Sequence, residues 1–224
     1  MKSSMRATVA AMAAAALAIG LAGCGSDGDQ EPSTSAQDTT DVQTSEQAPP
    51  EMTLAEYIKQ NGVTETPVGP GDPGTPVIEL PPPPGWLDVG TRAPLGSYVA
   101  FQSGDPATVA DPPTLIVYVF KLTGDVEAAK VLEYAPGEIQ TLPGYEGPKV
   151  GTPTKFGGFD ATQIGGSFER NGARRAVGQM TSVIPGQDGL FVVQVNADGA
   201  GQPKDVEALA VGSAFLAQNA KITQ

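Results

Sequence analysis

Histidine is missing from all 224 residues, cysteine occurs once and tryptophan once. Without histidine there is no Ser-His-Asp or Cys-His catalysis, no His-ligated zinc, and no side chain that ordinarily titrates near neutral pH. A lone cysteine cannot close an intrachain disulfide, so the fold must hold by its core alone. Basic residues are scarce as well: 13 Lys and Arg stand against 25 Asp and Glu, a net charge of -12. Such a surface repels phosphate backbones and anionic lipid, and excludes nucleic-acid binding as a working role. No metal or cofactor motif is present.

What the chain does have is an organised start. Lys2 and Arg6 precede an apolar run from Ala7 to Leu21, too short to span a bilayer, followed by small residues: the layout of a secretory signal peptide over residues 1–23. Leu21-Ala22-Gly23-Cys24 resembles a lipobox, whose cysteine carries a diacylglyceryl thioether with acyl chains of the palmitate type. Two acyl chains anchor stably where one is marginal. The expectation is a mature chain that begins at Cys24 and is lipid-anchored on the extracytoplasmic face of the cell membrane. The alternative is a buried free thiol, but Gly25, Ser26, Asp27, Gly28 and Asp29 surround Cys24 with polar residues. Residues 24–52 carry seven acids, no base and Val42 as the sole branched aliphatic residue, which cannot offset ordering entropy; they read as a disordered acidic tether.

Residues 53–224 form one domain. Thr53-Leu-Ala-Glu56 is a capping box opening a short helix over 54–60, stopped by Asn61-Gly62. Pro67 to Gly74 is turn chemistry, and Val77 to Leu80 a brief strand. A strand is expected over 96–103, and Thr114 to Leu122, apolar on both faces, reads as a central strand. A helix follows Gly124-Asp125 and ends near Tyr134, with a further turn over 138–142. Asn171-Gly172 joins strands 159–169 and 175–184 as a hairpin, Gly165-Gly166 marks a bulge or bend, and 190–195 is the last strand. A final helix after Pro203 lays Val206, Leu209, Ala210, Ser213, Ala214 and Ala217 on the sheet. The fold class is α+β, an antiparallel sheet with two or three helices on one face.

Several of these segments together resemble the LpqN/LpqT family of mycobacterial lipoproteins. They are Thr53-Leu-Ala-Glu-Tyr-Ile58, Thr64-Glu-Thr-Pro67, Gly71-Asp-Pro-Gly74, Leu80-Pro81 with Pro84-Gly-Trp86, and Gly124-Asp125 with Leu132-Glu-Tyr-Ala-Pro-Gly137. The resemblance runs over most of residues 53–220. It implies a PsbP-like α/β/α-type sandwich with an antiparallel sheet, no catalytic centre, and a place in the mycobacterial envelope. It further implies a role in mycomembrane biogenesis, through trehalose-mycolate handling or envelope transport and mycolyltransfer proteins. Cys24 carries over as the lipidated residue.

Three functional readings stay open. The first is a non-catalytic binder of a trehalose-mycolate type glycolipid, with Trp86, Tyr98, Phe101, Tyr118 and Phe120 around an apolar groove and Gln102, Gln179 and Gln194 on sugar hydroxyls; aromatics as ordinary core is the default for any one of them. The second is a protein adaptor using Arg170, Arg174 and Arg175, a cluster that otherwise serves solvation. The third is a carboxylate hydrolase drawing on Asp160, Glu169 and Asp188, though no spacing brings two of these together.

Overall fold

The computed structural model describes residues 52–224; the leader over 1–23, Cys24 and the tether up to residue 51 lie outside the described residues. Helix α1 (Leu54–Gln60) starts as its sequence dictates, with Thr53 Oγ1 accepting from the Glu56 amide at 3.2 Å and Glu56 Oε2 accepting from the Thr53 amide at 2.8 Å.

An eight-stranded antiparallel sheet dominates. Its strands in chain order are β1 (Thr64–Pro67), β3 (Trp86–Asp88), β4 (Val99–Ser103), β5 (Thr114–Thr123), β6 (Thr152–Phe156), β7 (Phe159–Arg170), β8 (Ala173–Gly186) and β9 (Gly189–Gly199), with β2 (Val77–Glu79) outside it. Across the sheet the order is β3-β4-β5-β9-β8-β7-β6, and β1 pairs with the last four residues of β5. The nonamer in β5 is therefore central: Leu115, Val117 and Val119 point to one face, Phe120 and Leu122 to the other. Asn171 and Gly172, at φ 55° and 76°, form the hairpin turn between β7 and β8.

Helices α2 (Ala128–Tyr134) and α3 (Gly137–Gln140) join α1 on one face, over Leu122, Val183 and Val192. Helix α4 (Pro203–Asn219) covers the opposite face, over Phe101, Leu115, Val117, Phe191, Val193 and Val195. Helices on one face only, as patterning suggests, is thus corrected to helices on both, as in an α/β/α-type sandwich, because β5, β8 and β9 alternate between two apolar faces and each needs cover. Residues 190–195 do not end the sheet structure: β10 (Lys221–Thr223) follows α4 and pairs with β2 in a separate ribbon. Gly165-Gly166 makes no bulge. Gly165 faces Gly178 and Gly166 faces Val177 without a skipped residue. Among the described residues no helix is long and apolar enough to cross a membrane.

Candidate functional site

Helix α4 meets the sheet along Asp205, Leu209, Gly212 and Leu216, its buried positions. This seam lies to one side of the face expected from the sequence, because Gly212 has no side chain. A Cβ there would sit 2.9 Å from Leu115 Cδ1 and 3.0 Å from the Trp86 ring, so the helix seats most closely over these two large residues. The flank holding Val206, Ala210, Ser213 and Ala214 is left overhanging β7 and β8.

Beneath that flank the sheet is flat. Register places Gly165 beside Gly178 and Gly178 beside Ala197, a row of three small residues across β7, β8 and β9, with Ala176 one pair further along β8. Small residues on the sheet face small residues on the helix, so the two layers cannot close. The result is an open, mainly apolar cleft of about 700 Å³. Met180 stands at one end, and Glu146, Pro148 and Val150 form the outer wall. From Val206 to Ala214 the helix side runs about 12 Å at 1.5 Å per residue. Gln163, Ser167 and Ser213 supply polar atoms at the rim.

The wall is a strap held to β7. Glu146 and Ser167 exchange backbone hydrogen bonds of 2.8 and 2.9 Å, and the Tyr145 hydroxyl donates to the Gly165 carbonyl at 3.3 Å. Burial raises the Tyr145 pKa, so it stays a donor. Among the described residues Glu146 is the one ionisable side chain lining the cleft and is ion-paired with Arg174, whose hydrogen bond and charge hold its carboxyl below the usual range.

The aromatic positions singled out from sequence do not share a groove. Phe101 and Trp86 are core under α4, Tyr98 packs on the same core and donates to the Ile78 carbonyl at 3.3 Å, and Tyr118 and Phe120 lie on the far face. Of the glutamines, Gln179 is buried and its amide donates to Asn196 Oδ1 at 3.2 Å, on the face away from α4, where strand alternation also places Gln102 and Gln194. Gln102 and Gln194 thus stand away from the cleft, because alternate strand residues serve opposite faces, while Gln179 borders the cleft with its amide committed to Asn196.

The arginines do not form a free patch. Arg170 Nη2 lies 2.6 Å from Asp198, Arg175 bridges Asp198 and Asp111, and Arg174 takes Glu146. Hydrogen bonds that Arg175 donates to Asp198 and then to Asp111 raise the Arg175 pKa, and Arg175 in turn lowers that of Asp111. The carboxylates are equally dispersed. Asp160 and Glu169 stand at opposite ends of β7, about 30 Å apart at strand spacing, and Asp160 is tied to Lys155 at 2.6 Å. Asp188 sits in the turn between β8 and β9. Among the described residues no group of three potential ligands could hold a metal ion.

Of the lining, Gln179 is expected from sequence in a ligand role, and Val206, Leu209, Ala210, Ser213 and Ala214 on the sheet-facing side of the helix, but not the cleft between them, for which a signal exists. With Asn171-Gly172 as a two-residue turn, antiparallel counting sets Gly165 opposite Gly178, and two glycines paired mid-hairpin leave a hole unless something fills it.

A family model described as "Probable lipoprotein LpqN" matches residues 50–223. Lipoprotein LpqN of Mycobacterium tuberculosis is 44% identical over 207 residues, 87% of this chain and 90% of that protein. The putative lipoprotein LpqT of Mycobacterium leprae is 28% identical over 123 residues, 54% of this chain and 53% of the relative. Among solved structures, the crystal structure of LpqN, described as involved in cell envelope biogenesis of M. tuberculosis, superposes with a TM-score of 0.70 at 42% identity, over 77% of this chain and 98% of that one.

Proposed function

Since this chain belongs to the LpqN lipoprotein family, we propose that it is a non-catalytic lipoprotein of the cell envelope that holds the acyl chain of a glycolipid in the cleft between α4 and the β7–β8 hairpin. In this reading residues 1–23 are removed, Cys24 carries the diacylglyceryl anchor on the extracytoplasmic face, and residues 24–51 tether the domain, Met52 already packing against its core. The relative's involvement in envelope biogenesis supports the setting. The observation that carries the ligand is the cleft itself, about 700 Å³ of mainly apolar space within the range of ligand pockets. Each methylene taken from water into it contributes about 0.8 kcal/mol. Gln163, Ser167 and Ser213 at the rim suit the hydroxyls of a sugar head such as trehalose.

The relatives' description as lipoproteins supports a role without turnover, and among the described residues the lining offers no carboxylate pair of the kind glycoside cleavage uses. The adaptor reading loses its motive, since each of the three arginines is engaged by a carboxylate of its own chain.

The test is calorimetric titration of the full chain with a trehalose monoester below its micelle concentration, with product analysis after prolonged incubation. Saturable heat, falling as the acyl chain is shortened, with the ester recovered intact, is the expected result. Heat independent of chain length, or release of free fatty acid, overturns it. Mass spectrometry of the protein from its native membrane should find Cys24 acylated, and an unmodified Cys24 refutes the anchor.

A further inference from the structure

The face of the sheet away from α4 is only partly roofed. Leu122, Val183 and Val192 lie in the core under α1–α3, but further along the same strands Tyr118, Gln194 and Asn196 are only partly buried. With Glu65, Pro67 and Phe120 they line a shelf of about 360 Å³, bounded by the loop at Gly96. Register sets Tyr118 beside Gln194 and Phe120 beside Pro67, so the rings and amides stand side by side.

The polar atoms of this shelf are uncommitted. Among the described residues the Tyr118 hydroxyl, the Gln194 amide and the Glu65 carboxylate have no side-chain hydrogen bond, and no ion pair engages Glu65. Asn196 uses its oxygen to accept from Gln179, which leaves its amide N–H₂ free to donate outward. Among the described residues no lysine or arginine lines the shelf, so these offer nothing to a phosphate or carboxylate. An apolar ligand would leave these donors and acceptors unpaired, at a cost for each.

We propose that this shelf is a second binding site, for an uncharged saccharide, with the Tyr118 and Phe120 rings against the sugar's C–H face and Gln194, Asn196 and Glu65 on its hydroxyls. Two rings on one strand face, Phe120 seated against the α1–α3 core, plus planar amides and one carboxyl match a ligand that presents an apolar face and a rim of alternating donors and acceptors. Partial desolvation, reinforced by the nearby Glu138 charge, raises the Glu65 carboxyl above its ordinary value, and its oxygens remain open to accept from a hydroxyl. The site lies across the sheet from the acyl cleft and stands independently of it. The saccharide could reach it free, as part of a polymer, or as a lipid headgroup.

The experiment is a two-dimensional NMR titration of the full chain, following the Gln194 and Asn196 side-chain amides. The probes are maltotriose, glucose 6-phosphate, and dodecyl maltoside below its micelle concentration. Maltotriose should shift both amides with about millimolar affinity, and glucose 6-phosphate should bind several-fold more weakly. Tyr118→Ala and Gln194→Ala should each lower maltotriose affinity about tenfold or more while the backbone spectrum stays folded. Gly165→Leu, which fills the acyl cleft, should leave maltotriose binding unchanged, so failure of the cleft and failure of the shelf are read separately. Equal affinity for maltotriose and dodecyl maltoside assigns the free or polymeric sugar; a chain-dependent gain that survives Gly165→Leu assigns a lipid headgroup. No shift up to about 50 mM, shifts that survive Tyr118→Ala and Gln194→Ala, or shifts abolished by Gly165→Leu would overturn the shelf as a saccharide site.

Discussion

Gly165 and Gly166 are neighbours in sequence and should respond oppositely to substitution, because adjacent strand residues face opposite sides. A Cβ on Gly165 would meet only the Val177 carbonyl at 3.4 Å and Gly178 Cα at 4.0 Å, and would project into the cleft. A Cβ on Gly166 would lie 2.6 Å from the Glu146 carbonyl and 2.7 Å from the Tyr145 ring, so the strap would have to move. Gly165→Leu gains strand propensity, worth up to about 1 kcal/mol, and should leave stability within about that margin. Its four side-chain carbons occupy space for roughly four ligand methylenes, so at about 0.8 kcal/mol each the acyl ligand loses about 3 kcal/mol, or roughly 200-fold in affinity. Gly166→Ala should cost about 1–3 kcal/mol by overpacking and lower the melting temperature by roughly 2–10 °C. Calorimetry with the trehalose monoester and thermal melts of both variants give the four numbers. A folded Gly165→Leu protein that still binds like the parent refutes the cleft as the acyl site. An unchanged melt for Gly166→Ala refutes the seating of the strap.

Three further outcomes follow from named contacts. Arg175→Met removes the guanidinium joining Asp111 and Asp198; with Arg175 11% exposed but Asp111 half in solvent, the loss should be about 1–2 kcal/mol by urea unfolding. Because Asp111 is lowered from 3.8 in the folded state, its stabilisation is complete above that value and lost as pH falls through the depressed one. The gap in melting temperature between parent and Arg175→Met should therefore narrow below pH 3.8, and a constant gap would contradict the linkage. Gly212→Ala presses a methyl onto Trp86 and Leu115; about 1–3 kcal/mol of crowding against about 1 of helix propensity should give a small net loss with a shift in Trp86 emission, and unaltered emission would argue against the close approach. Thr53→Ala opens the capping box and should cost about 1 kcal/mol, measured by urea unfolding; no change would show that α1 is held by packing alone.

Local chemistry alone determined a good part of this protein. The capping box set where α1 begins, Asn171-Gly172 set the hairpin, the two-sided apolar run from Thr114 to Leu122 set the central strand, and missing histidine removed the commonest catalytic constellations. Each of these is decided by residues a few positions apart, where backbone preference and side-chain period act directly. Tertiary structure alone decided the rest. Period two shows that Tyr118 and Val119 face opposite ways but not which face α4 covers, so five aromatics expected in one groove divide between two. Arg175 meets Asp111 across 64 residues, a pairing no local pattern encodes. The cleft exists because glycines and alanines on β7, β8 and β9 happen to lie beneath small residues of α4, and an unfilled volume belongs to the facing surfaces jointly, not to any stretch of chain.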